Sequence, residues 1–199
     1  GPKAYSGLLV EAINRDLPQP VGQTGATLPP GHGVVAVSAG ADVGDAAHIF
    51  VTNRAGVGVD LALGQRGYNL VALTPSGDLL ARAAFDILGD PNASAALAAW
   101  VQGLPTGTIV AGAVNDEASL GLGADAVAAL RSLGAAESVQ GRFRWSHAFI
   151  GVVGAAPGQA VEDIALLRPA VAIAGMPIDS PTITGGVGRI HFERKRTEP

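Results

Sequence analysis

Apolar residues in this chain come in short runs, and the runs set the elements it predicts. Val34-Val35-Ala36-Val37 and Ala47-His48-Ile49-Phe50-Val51 are apolar stretches of strand length, and Asn53-Arg54-Ala55-Gly56 supplies a turn before Val57-Gly58-Val59-Asp60-Leu61. Residues 68–73 and 79–85 flank Thr74-Pro75-Ser76-Gly77-Asp78, whose proline-then-glycine order predicts a hairpin. The nearly unbroken apolar run 108–114 predicts a strand buried on both faces, and 148–153 predicts another strand.

Helical spacing occurs in two places. Leu97, Ala98, Trp100, Val101 and Leu104 follow a capping Asp90 and a first-turn Pro91, which predicts a helix over 91–103. Val127, Leu130 and Leu133 form one stripe ending at Gly134, where a left-handed cap belongs, so a second helix is expected over about 124–133. Beyond these the pattern suggests a short helix at 160–166, a strand near 169–174 and a last strand over 189–193. Residues 16–33 hold four prolines and four glycines with little periodicity, and read as an irregular lead-in.

The 199 residues suffice for one domain with its own core, with bounds expected at 34–193, a lead-in at 1–33 and a charged tail at 194–199. Gly1-Pro2, without a methionine, reads as the scar a protease leaves on removing a tag, which makes the chain a piece of a longer protein. Only 15% of residues are charged, the net charge is -4, and Lys3 and Lys195 are the sole lysines, so a nucleic-acid partner is not expected. The basic cluster at 189–196 carries Glu193 and reads as a solvated tail. Cysteine is absent, which removes disulfides and thiolate chemistry. Every apolar stretch is interrupted before the roughly 18 residues that a membrane span requires, so no direct insertion by this chain is expected.

The usual chemical signatures are missing. There is no phosphate loop, zinc helix or nucleophile elbow, and Gly185-Gly186-Val187-Gly188 lacks the strand and helix of a dinucleotide turn. His32, His48, His147 and His191 lack ligand spacing, so neither metal nor cofactor is expected. Asp86, Asp116 and Glu117 lie near strand ends, but Asp116 and Glu117 are adjacent and would point to opposite faces, while Asp86 reads as a cap for the Gly89-Asp90 turn.

Three polar stretches remain: 65–69, 114–119 and 141–149. Arg66 precedes the strand at 68–73, Asp116 follows that at 108–114, and Arg144 precedes that at 147–153. If 147–153 runs antiparallel to 108–114, and 79–86 runs parallel to it through a helical crossover, the three side chains reach one rim. Two forked donors and an acceptor then suit a neutral polyol, with Tyr68, Phe143 or Trp145 against its C–H face and His147 as a further supporting candidate. The alternative is an Arg-Asp-Arg network that only fixes loops.

The same stretches resemble the interleukin-like EMT inducer (ILEI) domain family, whose members include PANDER-like proteins and the stem domain of protein O-mannose N-acetylglucosaminyltransferase. The similarity runs over about 64–154. It is carried by Gly64-Gln65-Arg66-Gly67-Tyr68-Asn69, Ala84-Phe85-Asp86, Pro105-Thr106-Gly107-Thr108-Ile109-Val110, Asn115-Asp116-Glu117-Ala118-Ser119, Leu130-Arg131-Ser132-Leu133-Gly134 and Phe143-Arg144-Trp145-Ser146-His147-Ala148-Phe149-Ile150-Gly151. The resemblance implies an α+β fold, a β-sandwich of two mostly antiparallel sheets flanked by short helices. It further implies a non-catalytic carbohydrate site at Arg66, Asp116 and Arg144, with an N-acetylhexosamine-type sugar as partner, in the extracytoplasmic part of a larger, membrane-associated glycan-handling protein. A ligand-free interaction module and a glycan-active enzyme are the alternatives. This chain departs from its relatives in lacking their cysteine pairs, in having His147 where tryptophan is frequent, and in having Trp145 where aspartate is frequent.

Overall fold

The computed structural model describes residues 17–53 and 58–175. Among them the elements run β1 (Gln19–Pro20), β2 (Thr27–Leu28), β3 (Gly33–Gly40), β4 (Ala46–Thr52), β5 (Gly58–Asp60), β6 (Gly67–Leu73), β7 (Leu79–Phe85), α1 (Ala93–Gln102), β8 (Ile109–Asp116), α2 (Ala124–Arg131), β9 (Ser146–Val152), β10 (Val161–Ala165) and β11 (Ala170–Gly175). The expected strand at 189–193 and the tail lie outside the described residues.

Two sheets pack face to face, as expected. One has the order β7-β6-β8-β9-β10 and the other β5-β4-β3-β11, with every neighbouring pair antiparallel. They merge at one corner through a short parallel contact of β3 with β8, pairing Ala39 with Asn115 and Gly40 with Asp116. The first sheet is apolar on both faces. Val71, Leu73, Ile109, Ala111, Ala113, Ala148 and Ile150 meet Val34, Ala36, Ile49 and Ala172 of the second sheet. The opposite face, with Tyr68, Leu70, Val110, Val114 and Phe149, is covered by Leu97, Ala98 and Val101 of α1 and by Ala126 and Leu130 of α2. Burial on two faces is why β6, β8 and β9 read as continuous apolar runs.

Local chemistry sets the connections. In the β6–β7 turn, Gly77 adopts φ 84° and its N–H donates to the Thr74 carbonyl at 2.9 Å. Asp90 caps the approach to α1 by accepting from the Asn92 N–H at 2.8 Å. Ser94 of α1 donates to Asp125 and accepts from the Gly123 N–H, each at 2.8 Å, so one hydroxyl locks the start of α2 against α1. The crossover through α1 makes β7 and β8 parallel with β6 between them, as expected.

One expectation is corrected. Residues 160–166 do not form a helix; β10 occupies Val161–Ala165 and pairs antiparallel with β9. Val161, Ile164 and Ala165 have a spacing that fits a helix, but Val161 packs toward the inter-sheet core and Ile164 toward the helix side. Burial on two faces erased the alternation that marks a strand. The lead-in is not wholly irregular: β1 and β2 pair antiparallel, and Val21 and Leu28 are buried against the inter-sheet core.

Candidate functional site

The corner where the two sheets merge is also where Arg66, Asp116 and Arg144 lie. β6 begins at Gly67, paired with Asn115, β8 ends at Asp116, and β9 begins two residues after Arg144. Close approach at this corner demands glycine. A Cβ on Gly40 would strike the Arg144 carbonyl, and one on Gly67 would strike the Phe85 carbonyl. Buried polar groups stitch the corner together: Ser38 donates to the Val114 carbonyl at 2.6 Å and accepts from the His147 N–H at 2.9 Å, and Ser146 accepts from the Gly40 N–H at 3.0 Å. Asn69 holds the 65–67 turn by donating to the Gln65 carbonyl at 2.7 Å.

The arginines are anchored, though not to Asp116. Arg66 forms a two-pronged pair with Asp86, Nε to Oδ1 at 2.8 Å and Nη2 to Oδ2 at 2.7 Å. Asp86 also caps the Gly89 N–H at 2.9 Å, as expected, and the pair holds its carboxyl below the usual range. Arg144 reaches across the sheet seam to Asp42 at 2.9 Å and lies over the Phe143 ring, 4.9 Å from its centroid. The Asp116 carboxylate accepts no hydrogen bond and forms no ion pair within 4.0 Å among the described residues. An Arg-Asp-Arg network centred on Asp116 is therefore not what fixes these loops.

Glu117 does that work. Buried at 1% exposure, it accepts from the N–H groups of Ser119, Leu120 (3.2 Å) and Arg144 (2.6 Å), tying the loop after β8 to the loop before β9. Asp116, beside it, is pushed above the usual carboxylate range by burial first, then by the nearby Asp45 and Glu117 charges, against the pull of Arg66 and Arg144. Asp116 and Arg144 both have φ 60° and Asp45 has φ 52°, the only non-glycine residues with positive φ among those described. Two buried polar atoms here lack partners among the described residues, Asn115 Oδ1 and Ser119 Oγ.

Of the aromatic residues expected to line a sugar site, two are placed elsewhere. Tyr68 and His147 are fully buried in the helix-side core and present no surface to a ligand, because their strands are covered on both faces. They form a relay: the Tyr68 hydroxyl lies 2.9 Å from His147 Nδ1, and His147 Nε2 lies 2.8 Å from the Glu162 carboxylate. Burial pushes Glu162 up, but the His147 bond and the N–H groups of Ala136 and Glu137 outweigh it and hold the carboxyl below its usual range. An ionised Glu162 accepts, so Nε2 donates to it and the Tyr68 hydroxyl is the partner of Nδ1. Trp145 is partly buried beneath the Arg142 guanidinium, 5.0 Å from its ring centroid, and Phe143 is exposed. Nothing in the sequence points to Asp42 or Glu162 as partners: Asp42 lies 102 residues from Arg144, and Glu162 falls in a stretch whose spacing suggests a helix.

Among the described residues, no group of three His, Asp or Glu side chains is placed to hold a metal ion, and no helix is long and apolar enough to cross a membrane. Comparison with family models matches residues 66–155 to Interleukin-like EMT inducer, a span that contains Arg66, Asp116 and Arg144 together with their elements. No curated protein matches the chain.

Proposed function

Since this chain carries an ILEI-family domain over residues 66–155, we propose that the domain is a non-catalytic carbohydrate-binding module. Its site is Arg66, Asp116 and Arg144, and its ligand a neutral sugar of the N-acetylhexosamine type. The observation that carries the reading is the unspent Asp116 carboxylate, held in a left-handed conformation between two arginines that are anchored to other acids. A carboxylate kept partly desolvated and unpartnered costs stability, and such sites are found where a ligand supplies the missing bond.

The charge state favours a neutral ligand over an anion. Asp86 and Asp42 already neutralise the two guanidinium groups, yet among the described residues Arg66 keeps Nη1 and Arg144 keeps Nε and Nη2 without protein acceptors, enough to donate to hydroxyl or acetamido oxygens. Asp116 accepts from a sugar hydroxyl, and Phe143 offers an exposed ring to a C–H face. Glu117, the adjacent carboxylate, is consumed by three backbone N–H groups, which leaves it unsuited to acid or base work beside Asp116. On the same family grounds we assign the module to the extracytoplasmic part of a larger glycan-handling protein.

Calorimetric titration and a glycan array test this. N-acetylhexosaminides should bind, and Arg144→Ala should weaken binding sharply while leaving the fold intact by circular dichroism. Absence of binding to every glycan presented would end the proposal.

A further inference from the structure

The corner that holds the three polar residues is also ringed by exposed apolar side chains. Leu88 follows β7, Leu63 precedes the turn into β6, Leu120 follows β8, Phe143 precedes β9, and Leu166 and Leu167 form the turn after β10. Strand directions bring all these loops to one end of the sandwich: Tyr68 pairs with Phe85, Gly67 with Asn115, Ser146 with Ala165, and Ala170 with Ser38. Leu167 is 86% exposed and Leu120 62%, far more than a side chain serving the core. Their loops are nevertheless tied down. Asp163 takes both Nη atoms of Arg168 and the Val171 N–H around the Leu166-Leu167 turn, and Glu117 holds the Leu120 N–H. Rigid loops presenting solvent-exposed leucines mark a contact surface.

The layout decides among partners. A protein interface ordinarily has an apolar centre with a polar rim. Here the order is inverted: Asp116, on the central strand and flanked by Arg66 and Arg144, is polar, and the periphery is apolar. That arrangement fits a headgroup entering the centre while the surrounding tips meet the hydrocarbon beneath it. Charge excludes an anionic surface. Arg66, Arg142, Arg144 and Arg168 are each paired with a carboxylate, Asp42, Asp45, Asp86 and Asp116 share the same end, and the chain's two lysines, Lys3 and Lys195, lie outside the described residues. Hydropathy, which scores spanning segments, is blind to loop tips of this kind.

We propose that this end of the domain docks on a bilayer displaying an uncharged glycolipid, the sugar headgroup occupying the Arg66–Asp116–Arg144 centre and Leu120, Leu166 and Leu167 entering the interfacial layer. This rests on the sugar-binding reading and names the carrier of the sugar. The test is flotation of the full chain with phosphatidylcholine vesicles, with and without a neutral glycolipid ending in N-acetylhexosamine, beside titration with the same saccharide free in solution. The chain should float only with glycolipid vesicles. Leu120→Ser combined with Leu167→Ser should reduce flotation by about tenfold or more while soluble-saccharide affinity stays unchanged. Flotation equal to wild type in that variant, or equal affinity for the saccharide on a soluble glycoprotein and on vesicles, overturns the membrane proposal alone. Loss of soluble-saccharide binding in the wild-type chain overturns the sugar-binding reading and this one with it.

Discussion

The two ends of the sandwich solve the same geometric problem with different residues. At the end where β6 turns into β7 and β8 begins, the backbone takes its positive-φ positions on Gly77, Gly107 and Gly154. At the merged corner, positive φ falls also on Asp45, Asp116 and Arg144. Glycine adopts that conformation freely, whereas a side chain there costs on the order of 1 kcal/mol. The first end is built for closure alone. The second holds charged side chains in directions that an unstrained backbone would not supply, and Glu117 offsets the cost by fastening the two loops from within.

The contrast is open to being broken, starting where the effect is largest. Glu117→Ala strips three backbone N–H groups of their acceptor in a buried place and should cost about 3 kcal/mol in chemical denaturation; a loss under about 1 kcal/mol would mean that the corner is held by something else. Tyr68→Phe leaves buried His147 Nδ1 without its hydrogen-bond partner and should cost about 1 to 2 kcal/mol, with the saccharide affinity unchanged because the relay lies in the core.

A matched pair probes the backbone directly. Gly107 has φ 86° with open space around its Cα, so Gly107→Ala should lose about 1 kcal/mol from conformation alone. Arg144→Gly relieves a similar conformation and loses an exposed ion pair worth roughly 0 to 1 kcal/mol, so its stability should differ from wild type by less than the Gly107→Ala change while sugar binding is lost. Equal losses in both would erase the distinction between the two ends.

The smallest expected effect has a characteristic pH dependence. Asp116 has a folded-state pKa raised above its unfolded value, so the unfolded chain releases the proton first and the folded state is penalised as pH rises through that window. The penalty is complete above the raised value and absent below the ordinary carboxylate range. Asp116→Asn, which also suits positive φ, should therefore raise the melting temperature at neutral pH, with the gain fading on acidification through that range. A gain that persisted unchanged at low pH would assign the effect to backbone conformation rather than charge.

Much of this was legible locally. The β6–β7 hairpin, the two helices and the doubly buried β8 are written in turn residues, caps and apolar runs, because each depends on residues close in sequence. The placement of Arg66, Asp116 and Arg144 at strand ends was legible for the same reason. β10 was not, because an edge strand buried unevenly on both faces has no period of its own and owes its conformation to hydrogen bonds from β9. Residue type near a strand end does not report depth, which is why Tyr68 and His147 qualify as site candidates in the sequence although both lie in the core.

By itself, then, the sequence determined most of the elements and their order, the match to the ILEI family model over 66–155 and the polar residue types at one end of the strands. Only the tertiary structure decided which charges meet: Arg66 with Asp86, Arg144 with Asp42, His147 with Glu162, and Asp116 with none among the described residues. The physical reason is that every carboxylate is a plausible mate for every arginine at the level of composition. The choice among them rests on angstrom-scale distances set by the seam between β3 and β8, to which residues far apart in the chain contribute together.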